Sequence, residues 1–387
     1  MFNKESMSEL WELKEIKDSC ELIMGQSPPG SSYNEEREGM PFLQGKAEFG
    51  KTFPNHIKFT TKPKRKAKKG SILMSVRAPV GDVNIANIDY CIGRGLASLN
   101  LKNGDNKYLF YLLNYLKPKI EESGTGSTFK AITKSGLEKI KIPVPPLETQ
   151  KKIVEILENA EKLKEWRIEA DELADELFNS YFLEMFGDPI KNENGFEKDL
   201  LNNLCQLKSG GTPSRKNSEY FEGDIPWITT VALGPKFIGY NDAVEYITED
   251  AIQKSATKLI PVNSIIFGTR VGVGKASINK CDICTNQDIT SIINLDKRLN
   301  KDFLLQVFKY YEKYFESQIR GATIKGITSK TLKELTIIIP PIELQNQFAQ
   351  IVQQVETLKN HQTQSKQEID NLFNTLMQKA FKGELIC

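Results

Sequence analysis

Hydrophobic positions follow two different periods along the chain, and each half contains both. Short apolar and β-branched runs separated by Gly, Pro and Asn predict strands joined by turns; they read SILMSV, VNIANI and KIKIPV in the first half and SIIFGT, ASIN and LTIII in the second. A short helical stretch accompanies each set, KYLFYLLNYLKPKI and KDFLLQVFKYYEKYF. After Pro145-Pro146 and Pro340-Pro341, apolar residues recur every three or four positions, which predicts a long helix in each half.

The two halves are copies of one unit. QSP at 26–28 corresponds to GTP at 211–213 with an offset of 185, and GSILMSVRAPVG at 70–81 corresponds to NSIIFGTRVGVG at 263–274 with an offset of 193. FKAITKSGLEKIKIPVPPLETQ at 129–150 corresponds to IKGITSKTLKELTIIIPPIELQ at 324–345 with an offset of 195. Because order and spacing are kept over several segments, we interpret the chain as an internal repeat.

The repeat divides the chain into four predicted parts of an α+β protein. Mixed globular domains are expected over 1–145 and 188–339, and long helices over 146–187 and 340–387. A helix of ~35 residues is ~50 Å long. Two helices with matching apolar seams are expected to pack as an antiparallel coiled coil that separates the two domains.

The predicted seams have the alternating three-and-four spacing of a coiled coil and become polar at the same place, Arg167 and Gln362. The seam residues are Ile153, Ile156, Ala160, Leu163, Arg167, Ala170, Ala174, Leu177 and Tyr181 in the first helix, and Phe348, Ile351, Val355, Leu358, Gln362, Ser365, Ile369, Leu372 and Leu376 in the second.

Charge separates the globular parts from the helices. Residues 148–180 contain ten acidic and five basic side chains, and residues 343–384 contain five acidic and four basic side chains. The formal net charge is +2, so the rest of the chain carries +8. Basic domains favour polyanionic partners.

Other features of the sequence narrow the class of protein. No apolar run approaches the ~20 residues needed to cross a bilayer, and the N-terminus lacks the pattern of a signal peptide, so a cytoplasmic location without a membrane partner is expected. Six cysteines without regular spacing predict no disulfide framework.

The sequence resembles a known family, and two kinds of motif show this most clearly. LKSGGTPSRKNSEYFEGDIPWIT at 207–229 and the paired P-P-[LI]-E-x-Q helix starts are similar to the specificity (S) subunit of type I restriction–modification enzymes. The resemblance extends over essentially the whole chain. The first copy, GQSPPGSSYNEEREGMPFL, keeps the Gly, Ser-Pro and Pro of the motif but lacks its Trp.

The resemblance implies a DNA-recognition subunit without catalytic activity of its own. Each globular part would be a target recognition domain for one half of a bipartite, asymmetric sequence in double-stranded DNA. The helices would set the spacing and dock two methyltransferase (M) subunits, with motor-nuclease (R) subunits completing the enzyme. No cofactor is expected in this chain; S-adenosylmethionine, ATP and Mg would bind to the partner subunits.

Candidate DNA contacts are basic and polar side chains in predicted loops, because such groups bind phosphates and base edges. They are Lys62, Lys64, Arg65, Lys66, Lys68, Lys69, Arg77, Arg94 and Lys130 in the first copy, and Thr212, Ser214, Arg215, Lys216, Asn217, Arg270 and Lys325, with Gln287, in the second. The 62–69 run could instead be a solvated loop, and 212–217 a structural turn. Arg77 and Arg270 occupy the same repeat position, which favours phosphate contact or loop bracing over base recognition.

The sequence predicts no catalytic, cofactor or metal site. VGVGK at 271–275 lacks the spacing of a phosphate-binding loop. Cys281 and Cys284 form a C-x-x-C without a second pair, and the chain has only two histidines, His56 and His361. Two alternatives remain open, namely a two-domain protein-interaction scaffold that dimerises through its helices and an enzyme with an unrecognised site.

Overall fold

The computed structural model describes residues 11–124, 131–319 and 326–386. The chain divides into two compact units. The first unit comprises Met1–Glu169 and Thr363–Cys387, and the second unit comprises Ala170–Gln362. Each unit therefore contains the globular part of one repeat copy and part of both long helices.

The described residues of the first unit form three sheets. Its strands are β1 (Leu13–Glu15), β2 (Cys20–Met24), β3 (Tyr33–Asn34), β4 (Met40–Leu43), β5 (Phe59–Thr60), β6 (Lys66–Ala67), β7 (Ile72–Ser75), β8 (Val83–Ile85), β9 (Tyr90–Ile92), β10 (Leu96–Leu101) and β11 (Lys141–Pro143). The strand orders are β1-β11, β2-β10-β7-β8 and β3-β5-β4-β9-β6. The α-helices are α1 (Ile16–Ser19), α2 (Asn106–Glu122), α3 (Lys134–Glu138) and the long helix α4 (Leu147–Phe186), whose second half belongs to the second unit.

The second unit has a similar but not identical order of elements. Its strands are β12 (Glu197–Leu200), β13 (Gln206–Ser209), β14 (Ile225–Ile228), β15 (Phe237–Ile238), β16 (Glu245–Ile247), β17 (Ile265–Gly268), β18 (Ala276–Asn279), β19 (Cys284–Thr285), β20 (Ile289–Ile293) and β21 (Thr336–Ile339). The strand orders are β12-β21, β13-β20-β17-β18-β15 and β16-β14-β19. The α-helices are α5 (Leu201–Leu204), α6 (Glu249–Gln253), α7 (Lys301–Ile319), α8 (Ser329–Lys333) and the long helix α9 (Ile342–Lys382). The predicted α+β class is confirmed.

The glutamine of the P-P-[LI]-E-x-Q motif explains why the motif occurs in both copies. Gln150 is buried; its amide donates to the Pro145 carbonyl at 2.8 Å, and its side-chain oxygen accepts from the Asp105 backbone at 2.8 Å. Gln345 makes the equivalent bonds to Pro340 at 2.6 Å and Asn300 at 2.8 Å. A buried amide needs such partners, and here they join the start of each long helix to the start of α2 or α7.

The long helices run antiparallel to each other. Within the first unit, Lys164 lies 2.7 Å from Asp370, and within the second unit, Lys359 forms an ion pair with Asp175. As residue numbers increase along α4, those of the partners on α9 decrease. The predicted antiparallel pairing is therefore confirmed.

Part of the predicted seam is wrong. Leu163, Leu177 and Tyr181 of α4 are 40%, 56% and 42% exposed, and Leu358 and Leu372 of α9 are 47% and 45% exposed. The buried side of α4 in the second unit instead carries phenylalanines, and Phe182 and Phe186 pack with Phe348 of α9. The physical reason is that α4 has a second apolar stripe in the second unit, Phe178, Phe182 and Phe186, and this stripe packs in the core.

Candidate nucleic-acid interface

Four loops of the second unit meet at one edge. Strands β14 and β19 are parallel, so their carboxyl ends lie together, and the Asn286 backbone donates to the Ile228 carbonyl at 3.0 Å. The Gly211 backbone N–H donates to the Thr285 carbonyl at 2.9 Å, and the Thr269 backbone N–H donates to the Asp288 carbonyl at 2.8 Å. We call residues 211–217, 229–232, 269–274 and 286–288 the loop edge of the second unit.

Polar side chains from different loops bond to each other along this edge. The Thr212 hydroxyl donates to the side-chain oxygen of Gln287, which joins two candidate positions 75 residues apart. The Arg270 guanidinium lies 3.8 Å from the Asp288 carboxylate, while the Arg270 side chain remains 63% exposed. Arg270 is therefore oriented by the protein and still accessible to a phosphate.

Arg215 has a structural role in the loop edge. Its guanidinium forms a two-pronged ion pair with Glu245 and lies over the rings of Phe221 and Trp227, 4.5 Å and 5.4 Å from their centroids. The indole of Trp227 donates to the Gly211 carbonyl at 3.1 Å. Arg215 hydrogen-bonds to Glu245 and holds the pKa of its carboxyl below the usual range. The G-x-T-P-S…W motif therefore shapes the loop, and the Arg215 charge is largely satisfied within it.

Replacing Arg215 by Ala is expected to loosen the 212–217 loop and to lower the free energy of unfolding by about 1 kcal/mol, because a partly exposed ion pair and ring contact are lost. Denaturant unfolding of the full chain measures this loss. Lys216→Ala is the control, since Lys216 is exposed and makes no ion pair within the described ranges. Equal losses in the two variants would contradict the assigned role.

The remaining candidate DNA contacts of the 212–217 loop are Ser214, Lys216 and Asn217. Ser214 and Lys216 are exposed and Asn217 is half-buried. The Asn217 backbone donates to the Ser214 carbonyl at 3.1 Å, which closes a turn and leaves these side chains at the surface.

The first unit brings the corresponding positions together. The Gln26 backbone donates to the Ile92 carbonyl at 2.9 Å, and the Arg94 backbone donates to the Ser27 hydroxyl at 3.4 Å. The Val76 backbone donates to Gly95 at 2.9 Å, and Arg77 forms a β-bridge with Ala131. Arg77 and Arg94 are both exposed. We call residues 26–28, 76–82 and 93–95 the loop edge of the first unit.

The basic run Lys62–Lys69 lies beside this edge. Strand β6 pairs antiparallel with β9, and the Ile92 backbone donates to the Arg65 carbonyl at 2.9 Å, two residues before Arg94. All six basic side chains are exposed, and none forms an ion pair with another residue of the described ranges. Unpaired clustered cations produce a positive potential that attracts phosphates. The candidates Lys130 and Lys325 lie outside the described residues.

The glycine turn after Arg270 has a packing role. Gly274 has φ +90°, and a Cβ there would lie 2.7 Å from the Cα of Glu312 in α7. Gly81, its counterpart in the first unit, also has φ +90°. A left-handed turn pressed against a helix requires glycine, which explains the VGVGK segment without a bound phosphate.

Three cysteine thiols are shielded from solvent within the two units. Burial raises the pKa of the Cys20 and Cys205 thiols to about 12 and that of Cys284 to about 11. Such thiols are poor nucleophiles and metal ligands. Among the described residues, no group of three or more His, Cys, Asp or Glu side chains could hold a metal ion, and no helix is long and apolar enough to span a membrane.

Comparison with known proteins identifies one family for both copies. The family model described as "Type I restriction modification DNA specificity domain" matches residues 8–173 and again 193–371. The chain is 54% identical over 171 residues to the putative type I restriction enzyme MjaX specificity subunit of Methanocaldococcus jannaschii, covering 42% of this chain. It is 28% identical over 269 residues to the EcoR124I/EcoR124II specificity subunit of Escherichia coli, covering 67% of this chain. These alignments span 40% and 65% of the two relatives.

Solved structures share the fold. A chain from a study of complex assembly and conformational transition of the type I R-M system gives a TM-score of 0.71 at 20% identity, covering 98% of this chain and 99% of that one. The S subunit of a type I restriction-modification system from M. genitalium gives 0.55 at 17% identity, with 98% of each chain covered.

Proposed function

The chain belongs to the family of type I restriction–modification DNA specificity domains, and from this premise we propose that it is the subunit that reads the DNA target. Each unit binds one half of a bipartite, asymmetric sequence through its loop edge. The chain performs no catalysis, and methyl transfer and cleavage take place on partner subunits. The observation that carries the proposal is that the same loop positions meet in each unit and present exposed arginines, Arg77 and Arg270.

The division between shared and different residues supports a two-part target. The shared arginines occupy equivalent positions, which suits phosphate contacts common to any sequence. A neighbouring position differs, since Arg94 corresponds to Gln287. Arginine binds guanine bidentately and glutamine binds adenine, so two edges that differ in this way suit two different half-sites.

A binding measurement across salt concentrations tests the proposal. In the presence of the methyltransferase partner, affinity for duplex DNA should fall about 10³–10⁵-fold between 50 and 200 mM salt if six to ten phosphates are contacted. One bipartite sequence should be preferred over scrambled duplexes. A flat salt response without sequence preference would contradict DNA recognition and favour a protein-interaction scaffold. Methyltransferase activity of the isolated chain would contradict the absence of catalysis.

An exposed apolar stripe on α4 supports docking of the methyltransferase subunits. Leu163 and Trp166 are 40% and 61% exposed in the first unit, and Leu173 and Leu177 are 57% and 56% exposed in the second. The two residues of each pair are three or four positions apart, so within each unit they lie on one face of its part of α4. Large exposed aromatic and aliphatic residues on one face are typical of protein interfaces.

Replacing Trp166 by Glu is expected to weaken methyltransferase binding at least tenfold, because a charge would be buried where an aromatic anchor had packed. Calorimetric titration with the methyltransferase subunit measures the change. Ile168→Glu is the matched control, since Ile168 is 47% exposed and lies about 200° around the helix from Trp166. Loss of binding in the control with none in Trp166→Glu would assign docking to the other face.

A further inference from the structure

Two valines project from the loop edge of the second unit into solvent. Val231 is 85% exposed and Val271 is 60% exposed. Both lie close to anchored backbone: Val231 precedes the buried Leu233 by two residues, and Val271 follows the end of β17 at Gly268. Single exposed apolar residues are common on protein surfaces, so these valines are distinguished by their position and not by their exposure alone.

The loops that carry the two valines contact each other. A Cβ built on Gly268 would lie 3.4 Å from Cδ1 of Leu233 and 3.3 Å from the carbonyl oxygen of Val271. The loop after β14 and the loop after β17 are therefore packed around Gly268. Both valines lie on the edge that also carries Arg270.

The two valines differ from their counterparts in the first unit. At the offset of 185, Val231 corresponds to Lys46, which forms an ion pair with Asp82 at 2.7 Å. At the offset of 193, Val271 corresponds to Ala78. Arg77 and Arg270, one residue before Ala78 and Val271, are the same in both copies. Shared residues suit contacts common to both half-sites, whereas residues that differ between the copies suit contacts that distinguish the half-sites.

The chemistry of valine selects one feature of DNA. The 5-methyl group of thymine is the apolar group that a base pair presents in the major groove, and small apolar side chains contact it. A β-branched side chain has few rotamers, so ordering it against a methyl group costs little entropy. We propose that Val231 and Val271 read thymine methyl groups in the half-site bound by the second unit. The proposal rests on the proposed function.

The test removes only the methyl group. Once the methylated motif of the host has defined the target, duplexes are made in which each thymine of one half-site is replaced in turn by uracil. Affinity of the complex of chain and methyltransferase should fall about fourfold for each contacted methyl group, the value of one buried CH₂. Uracil in the half-site bound by the first unit serves as the internal comparison.

The variants assign the effect to the valines. Val231→Ala and Val271→Ala should each bind the thymine duplex more weakly and lose the distinction between thymine and uracil at one position. Val262→Ala is the matched control, because Val262 is 44% exposed and lies before β17, at the opposite end of that strand from Gly268. It should retain the full distinction.

The possible outcomes separate this inference from the proposed function. If the complex binds one bipartite target and no uracil substitution in the second unit's half-site weakens binding, the inference is overturned and the function stands. A half-site without thymine on either strand, or an unchanged thymine preference in both valine variants, also overturns it. Absence of any bipartite target would instead overturn the proposed function.

Discussion

Replacing Phe381 by Ala is expected to lower the stability of the first unit by about 3–5 kcal/mol, the usual loss for a large aromatic side chain deleted from a core. Phe381 is fully buried near the end of α9, with its ring 5.6 Å from Tyr108 and 5.3 Å from Tyr115 of α2. These residues belong to the same core as Ile153 of α4. The last helical turns of α9 thus complete the core of the first unit.

Hydrogen exchange of the full chain measures this effect. Amide protection in α2 should fall by the stated free energy, while protection in α7 of the second unit should change little. Leu372→Ala on the same helix is the control, because Leu372 is 45% exposed and its truncation leaves no cavity. Unchanged protection of α2 in Phe381→Ala would show that the C-terminal segment is dispensable for the first unit.

Neutralising the basic run is expected to have the largest effect on DNA affinity. With Lys62, Lys64, Arg65, Lys66, Lys68 and Lys69 all replaced by Gln, the slope of log affinity against log salt should decrease in magnitude by up to about 5, at about 0.9 per lost phosphate contact. At 0.1 M salt the affinity should fall on the order of 100-fold or more. The preferred sequence should stay the same, because phosphate contacts carry no base information.

The control removes charge from another sheet of the same unit. Lys14 and Lys17 flank the β1–α1 junction and Lys141 begins β11. Their joint replacement by Gln should change the salt slope by less than one, since they lie outside the loop edge. Because the control removes three charges and the basic-run variant removes six, a change of slope half as large as in the basic-run variant would mean that net charge alone, and not the position of the run, determines affinity.

The repeat and the fold class could be predicted from sequence because they depend on local signals that occur twice. The proline pairs and the following periodicity predicted long helices, and the helices begin at Leu147 and Ile342. The function of the paired glutamines was not predicted. Gln150 and Gln345 bond to Asp105 and Asn300, 45 residues away along the chain in each copy, and no local pattern indicates such a partner.

The orientation of the long helices around their axes could not be predicted fully. Leu163 and Leu177 have the same spacing as a buried seam, yet both are exposed. Helical periodicity identifies apolar stripes but does not decide which stripe meets the core. In the second unit that choice depends on the phenylalanine cluster around Phe348, whose members come from three separate segments of the chain.

The candidate site was predicted in outline but not in its internal bonds. The sequence singled out Arg215 and Arg270 as polar loop residues, and the structure assigns them carboxylate partners, Glu245 and Asp288. Val231 and Val271 could not be predicted from the sequence, because the sequence pattern does not distinguish an exposed from a buried valine in a loop between two strands. The close approach of their two loops depends on the packing of Leu233 near Gly268, a long-range contact.

The most direct test of recognition of two half-sites by two units is a methylome of cells that express the complete system with part of the second unit exchanged. The segment 188–339 is replaced by the corresponding segment of a family member with a known bipartite target, and the methylated motif is determined by sequencing. The account predicts that one half of the motif changes to that of the donor while the other half is retained. A motif that changes in both halves, or in neither, would contradict independent recognition by two units.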